Sequence, residues 1–178
     1  MAVFAAFIRG INLGPSKRVA MKDLKAKLAE DYEDVQTLLA SGNVVLRGSG
    51  SAADVERAVA AAIDAISGFS PDVTVRTAKQ MAGVVDGDPF ADSGLDGKFR
   101  LVAFCDATAS AKDLEALEAE HAADGERLEV AGRDVYILVP SGQARSKLME
   151  ALTRHKRDGF ATVRNWNTVE KVAALVRD

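Results

Sequence analysis

The feature that most constrains this chain is an order of local patterns that occurs twice. Val3 to Ile8 is a short apolar run ahead of Arg9-Gly10, as in a fully buried strand. A Gly/Pro/Ser/Lys loop from Gly10 to Arg18 follows. Met21, Leu24 and Leu28 then recur at helical spacing. Val35 to Leu39 and Val44 to Leu46 read as strands joined through the turn residues Ser41-Gly42-Asn43. Ser51 with Asp54 forms a capping box ahead of a helix that places Val55, Val59, Ile63 and Ile66 on one face. Val73 to Arg76 closes the set as a strand. Thr77 with Gln80 caps a short helix that carries Met81, Val84 and Val85.

The second half repeats this order. Arg100 to Cys105 is a strand, and Ser110 with Asp113 caps a helix bearing Leu114 and Leu117. Leu128 to Val130 and Val135 to Val139 flank Ala131-Gly132-Arg133-Asp134 as a hairpin. A helix over about Ala144 to His155 buries Leu148 and Leu152, and Phe160 to Val163 is the last strand. A final helix opens near Asn167, with Asn167 or Thr168 as its cap, and buries Val172, Leu175 and Val176. The expectation is an α+β chain of two tandem ferredoxin-like (βαββαβ) units plus a C-terminal helix. Right-handed crossovers place both helices of a unit on one sheet face. Residues 1–85 form the first unit with its short trailing helix, 86–98 a linker rich in Gly, Pro, Asp and Ser, and 99–178 the second unit with the C-terminal helix. The repetition is one of order rather than of obvious sequence.

Composition supports a packed core without staples. Of the 178 residues 48% are hydrophobic and 28% charged, which is ordinary for a globular chain. Cys105 is the one cysteine, so no internal disulfide forms, and a reducing cytoplasm is expected. No apolar run is long enough to cross a bilayer, and the apolar N-terminus lacks a signal peptide's basic leader and cleavage site, so no membrane association is expected. The net charge of -3 disfavours a generic electrostatic nucleic-acid binder. Charge is uneven. Asp86 to Asp134 holds 5 basic and 13 acidic residues, a balance of -8, whereas Val135 to Asp178 holds 8 basic and 4 acidic, a balance of +4. Two solvated faces of opposite sign explain this. The functional reading is a basic surface near Arg145, Lys147, Arg154, Lys156 and Arg157 that meets an anion.

Four segments combine residues that bind ligands. Arg9-Gly10-Ile11-Asn12, with Lys17 and Arg18, leaves a strand and enters a helix, as a phosphate-holding turn does. It matches neither a P-loop nor a dinucleotide fingerprint, because Pro15 follows Gly14 and G-x-G-x-x-G is absent; a turn with a solvated basic edge is the alternative. Ser41-Gly42-Asn43 is a hairpin turn or an amide and hydroxyl facing a ligand. Pro140-Ser141-Gly142-Gln143 leads into a helix whose first turn carries Arg145 and Lys147, against the helix dipole. Arg164-Asn165-Trp166-Asn167-Thr168 holds the one tryptophan. Trp166 either stacks on a ring or fills a gap in the packing.

Constellations for catalysis are mostly missing, and an enzyme stays open as a reading. His121 and His155 lie on helices among charges and show no metal-ligand spacing, and Cys105 reads as a buried thiol. Asp86, Asp88, Asp92 and Asp96 lack calcium-loop spacing and read as a solvated linker. No metal and no cofactor are expected, and no catalytic residue is identified.

Taken together, Arg9-Gly-Ile-Asn12, Ser41-Gly-Asn-Val44, Pro89-Phe90 and Arg164-Asn-Trp-Asn-Thr168 resemble, in order and spacing, the bacterial family known as domain of unknown function 1697. The resemblance spans nearly the whole chain and implies two ferredoxin-like α+β units. It implies no activity. Pro15 stands where that family often has Gly, which weakens a phosphate-loop reading of the first turn.

Three readings of function follow. One is a cytoplasmic domain that binds a small anionic ligand, a nucleotide or phosphorylated metabolite, through Arg9, Asn12, Lys17, Ser41, Asn43, Lys147, Arg164, Asn165, Trp166 and Asn167. The second is a nucleic-acid-associated protein, and the third an interaction module whose signature residues lock its two units. In one such unit the end of the first strand and the hairpin of the second and third are expected at opposite sheet edges, so Arg9 and Asn43 need not meet. Arg9 to Arg18 would instead face Ser141 to Lys147, and Ser41 to Asn43 would face Arg164 to Asn167.

Overall fold

The computed structural model describes residues 1–155 and 161–177. Lys156, Arg157 and Phe160, singled out above, lie outside the described residues. The chain divides into two compact units, one of residues 1–85 with the chain from Lys171 onward, the other of residues 86–170.

The first unit contains β1 (Ala2–Ile8), α1 (Met21–Leu28), β2 (Glu33–Leu38), β3 (Asn43–Gly48), α2 (Ala52–Ser67), β4 (Val73–Thr77) and α3 (Ala78–Asp86, whose last residue falls in the second unit). Its strands form an antiparallel sheet in the order β2-β3-β1-β4. Leu24 and Leu28 of α1 and Val55, Val59 and Ile63 of α2 pack with Phe4, Ala6, Ile8, Val44, Leu46 and Val75, so both helices cover the same face. Strand side chains alternate between faces. Ala5, Phe7, Val45, Thr74 and Arg76 on the other face are buried as well. Burial on both sides explains why β1 reads as an unbroken apolar run.

Local chemistry sets the helix ends. The Ser51–Asp54 capping box forms, with Asp54 N donating to Ser51 Oγ at 3.2 Å and Ser51 N to Asp54 Oδ2 at 2.8 Å. Thr77 and Gln80 make the same exchange ahead of α3. One expectation fails on α2. Ile66 is 36% exposed. Periodicity fixes an angle around the helix axis, not how far along the axis the core extends.

The second unit contains β5 (Arg100–Cys105), α4 (Ala111–His121), β6 (Arg127–Ala131), β7 (Asp134–Leu138), α5 (Lys147–Arg154), β8 (Ala161–Asn165) and the start of α6 (Trp166–Arg177). Its strands lie in the order β6-β7-β5-β8, antiparallel throughout. Leu114 of α4 and Met149 and Leu152 of α5 pack on Leu101, Ala103, Cys105, Val135 and Ile137. Two helix starts differ from expectation. A 3-10 turn spans Gln143–Arg145, and α5 begins only at Lys147, because Ser146 Oγ accepts from Met149 N at 3.0 Å. The cap of α6 is Asn165, whose Oδ1 accepts from Thr168 N and Thr168 Oγ1 at 3.0 Å each. Strand β8 runs straight into α6, which leaves no loop in which Asn167 or Thr168 could cap.

The two sheets match in register. Arg76 stands opposite Ala5 and Thr74 opposite Phe7; Arg164 stands opposite Val102 and Thr162 opposite Phe104. The sequences of the two strands also agree, Thr74-Val75-Arg76-Thr77 against Thr162-Val163-Arg164-Asn165. In each, the arginine is followed by the residue that caps the next helix.

Candidate functional site

The candidate residues fall into three groups. In the first unit, Arg9, Asn12, Lys17, Ser41 and Asn43 come together. The expectation that the end of β1 and the β2–β3 turn lie at opposite edges is wrong. Phe7 pairs with Asn43, and Ile8 N donates to Gly42 O at 2.9 Å. Because β3 lies beside β1 and runs antiparallel to it, the start of β3 must abut the end of β1.

These residues largely hold one another. Asn12 takes the left-handed conformation (φ 56°), which asparagine tolerates. Its Nδ2 donates to Val19 O at 3.0 Å and Ala40 O at 2.8 Å, and its Oδ1 accepts from Val19 N at 2.9 Å. Asn12 N donates to Lys17 O at 3.1 Å, closing the loop on itself. Asn43 is fully buried, and its Nδ2 donates to Leu38 O at 2.8 Å and Ser41 Oγ at 3.2 Å. Gly42 is required here. Its φ is 87°, and a Cβ would stand 2.8 Å from Ile11 Cδ1 and 3.0 Å from Ile8 Cβ. Arg9 is exposed and pairs with Asp72 at 3.3 Å.

The second group surrounds Trp166. The indole is 4% exposed, and the Arg100 guanidinium lies 5.1 Å from its centroid. Arg100 Nη1 donates to Asp88 Oδ2 at 2.6 Å, and the Asp88 side chain is only 4% exposed. Asp88 is therefore a buried partner, not a solvated linker residue. Asn167 lies against Gly97, where a Cβ would stand 2.2 Å from Asn167 Oδ1. The Asp96 carboxyl is held below the usual carboxylate range, first by the bond from Lys98 N at 2.9 Å, then by the Lys98 charge and a bond with Asn167. Arg164 Nη1 donates to Thr162 Oγ1 at 2.7 Å and to Val163 O at 2.9 Å; burial lowers its pKa to about 10. Arg76 in the first unit repeats this, donating to Thr74 Oγ1 and Val75 O at 3.0 Å each. The repeated Thr-Val-Arg triplet is the sequence signal that pairs Arg76 with Arg164.

The third group lies on α5. Lys147 opens this helix and lines a cleft of about 550 Å³ with Gln143, Arg145, Ser146, Thr153 and Arg154. Among the described residues Glu150 is the one carboxylate on the cleft wall, and Arg154 engages it at 2.6 Å. Arg145 and Lys147 pair with no carboxylate among the described residues. Arg145 and Arg154 thus join Lys147 as site candidates; the basic balance of this stretch was their signal. Among the described residues no three His, Cys, Asp or Glu side chains converge as a metal site, and no helix is long and apolar enough to cross a membrane.

Comparison with known proteins gives a family match and a likeness to solved structures. A family described as "Protein of unknown function (DUF1697)" matches residues 1–136. The conserved bacterial protein SP0830 from Streptococcus pneumoniae superimposes with a TM-score of 0.77 at 17% identity, over 98% of each chain. That likeness shows the fold alone. No curated protein matches.

Proposed function

We propose a function for a chain that belongs to the DUF1697 family: it is a cytoplasmic binding module of two ferredoxin-like units related by internal duplication, and it takes a small anionic ligand on α5. The observation that carries this reading is the cleft of about 550 Å³ beside α5, walled among the described residues by Arg145, Lys147 and Arg154 against the one carboxylate of Glu150. A volume of that order suits a nucleotide or phosphorylated metabolite. Cations at the start of α5 oppose the helix dipole, and a bound anion relieves that opposition. The matched strand orders and registers and the repeated Thr-Val-Arg triplets support the duplication.

The signature residues have a second role in this reading. Asn12, Asn43, Asn165 and Trp166 hold loops and helix ends by bonds within their own unit, so they keep the frame on which the α5 cleft stands. Trp166, buried beneath Arg100, offers little platform for a base, which weighs against single-stranded nucleic acid as the ligand.

Thermal unfolding in the presence of inorganic phosphate, AMP and ribose 5-phosphate tests the proposal. A binder gains stability by mass action once ligand exceeds its dissociation constant. A rise in Tm at millimolar ligand that disappears in the Arg145→Ala/Lys147→Ala variant is expected. No shift with any of the three compounds overturns the reading.

A further inference from the structure

Lys147, Glu150, Ala151 and Arg154 stand at i, i+3, i+4 and i+7, one stripe along α5. The cleft described above lies on one flank of this stripe. On the other flank is a second cavity of about 330 Å³ between α4 and α5. Lys147, Glu150 and Arg154 line both. The far wall of the second cavity is built by Leu117 and His121 from α4 and by His155 beyond the end of α5. These are the chain's 2 histidines, set 34 positions apart, and the packing of α4 on α5 brings both to one cavity.

The chemistry of this wall suits an anion. An imidazole offers an N–H donor in either protonation state. With Lys147 and Arg154 the cavity therefore presents four donor side chains; among its described lining residues Glu150 is the one carboxylate and is bonded to Arg154 at 2.6 Å, while Glu120 Oε1 stands 3.7 Å from His121 Nε2 outside the lining. Lys147 and Arg154 oppose a cation at the same place, and no metal-ligating trio converges there among the described residues.

Resting on the anion reading of α5, we infer that the α4–α5 cavity is a second anion subsite, so that the ligand is a bisphosphorylated metabolite with one phosphoryl group on each flank of the Lys147–Arg154 stripe. The groups must be separated by a spacer, because a helix with its side chains is about 10 Å across. A diphosphate, whose phosphorus atoms share one bridging oxygen, is too short. A sugar phosphorylated at both ends has the reach.

Fructose 1,6-bisphosphate and fructose 6-phosphate are the probes, titrated calorimetrically into the intact protein and into the His121→Ala/His155→Ala variant, which removes both donors. The bisphosphate is expected to bind at least about tenfold more tightly than the monophosphate, a step of about 1.4 kcal/mol. The variant is expected to lose that advantage while its monophosphate affinity stays unchanged. Should the double variant fold poorly, the histidine ring signals in NMR spectra of the unmodified protein provide the same test: both shift with the bisphosphate, and neither with the monophosphate. Equal affinity for the two sugars, or an advantage that survives removal of both histidines, overturns the second subsite and leaves the first standing. Failure of both sugars to bind overturns the anion reading of α5 itself.

Discussion

The guanidinium of Arg100 rests over the Trp166 indole, 5.1 Å from its centroid, while its Nη1 holds the buried carboxylate of Asp88 at 2.6 Å. Arg100 Nε is buried with no hydrogen-bond partner among the described residues, so Asp88 carries the burden of neutralising this charge. Removing one member of a buried pair leaves the other charged and desolvated, whereas an exposed pair contributes little. Asp88→Asn is therefore expected to cost about 3 kcal/mol in urea unfolding. Arg154→Ala, which breaks the exposed pair with Glu150, is expected to cost less than about 1 kcal/mol.

The Asn12 carboxamide ties its own loop to Val19 and to Ala40 in the β2–β3 turn. Asn12→Ala loses these bonds and strains a left-handed residue, with an expected cost of about 2 kcal/mol. Asn12→Gly keeps the backbone at ease and loses only the bonds, so it should fall between the two. Amide exchange reads this locally, because Val19 N–H donates to Asn12 Oδ1 and should exchange faster in both variants.

Gly97 leaves no room for a methyl group. A Cβ there would lie 2.2 Å from Asn167 Oδ1 and 3.2 Å from Asn167 N. The amide oxygen can swing away, but the backbone nitrogen cannot. Gly97→Ala should lower the Tm, with an expected cost of about 1–3 kcal/mol. Adding Asn167→Ala should recover part of that loss, since it removes the nearer obstacle. Full additivity of the two losses in a double-mutant cycle would refute this contact.

Tyr136 gives the chain a pH signature. Desolvation, followed by the charges of Asp134 and Asp88, pushes its phenol up to about 12. An unfolded tyrosine ionises near pH 10. Between about pH 10 and 12 the folded state keeps a proton that the unfolded state has lost, so stability falls as pH rises through that window. Arg164, lowered to about 10 by burial, acts in the opposite sense over the same range. Tyr136→Phe removes only the first effect. Its stability should hold up better than that of the parent between pH 10 and 12, as read from urea midpoints. Parallel pH curves for the two proteins would contradict the assignment.

Legibility in the sequence followed range. Ser51 with Asp54, Thr77 with Gln80 and Ser110 with Asp113 were readable because each cap acts over three residues. The capping role of Asn165 escaped notice although its partner is also three residues away, because β8 was expected to end before it. Asp88 escaped for a different reason. Its composition is that of a linker, and only a bond to Arg100, twelve residues on, buries it. His121 and His155 show no pattern in one dimension and share a cavity in three.

Apolar periodicity and short-range polar caps, acting through local sterics and hydrogen bonding, were sufficient to specify the succession of strands and helices. They also identified most of the residues that fill the two cores. Tertiary structure alone decided which polar groups meet: Asn12 with Ala40, Arg100 with Asp88 and Trp166, and Lys147 and Arg154 with the two histidines. Each of these meetings depends on how strands pair or helices pack, and that is set by burial summed over many residues rather than by the spacing of any few.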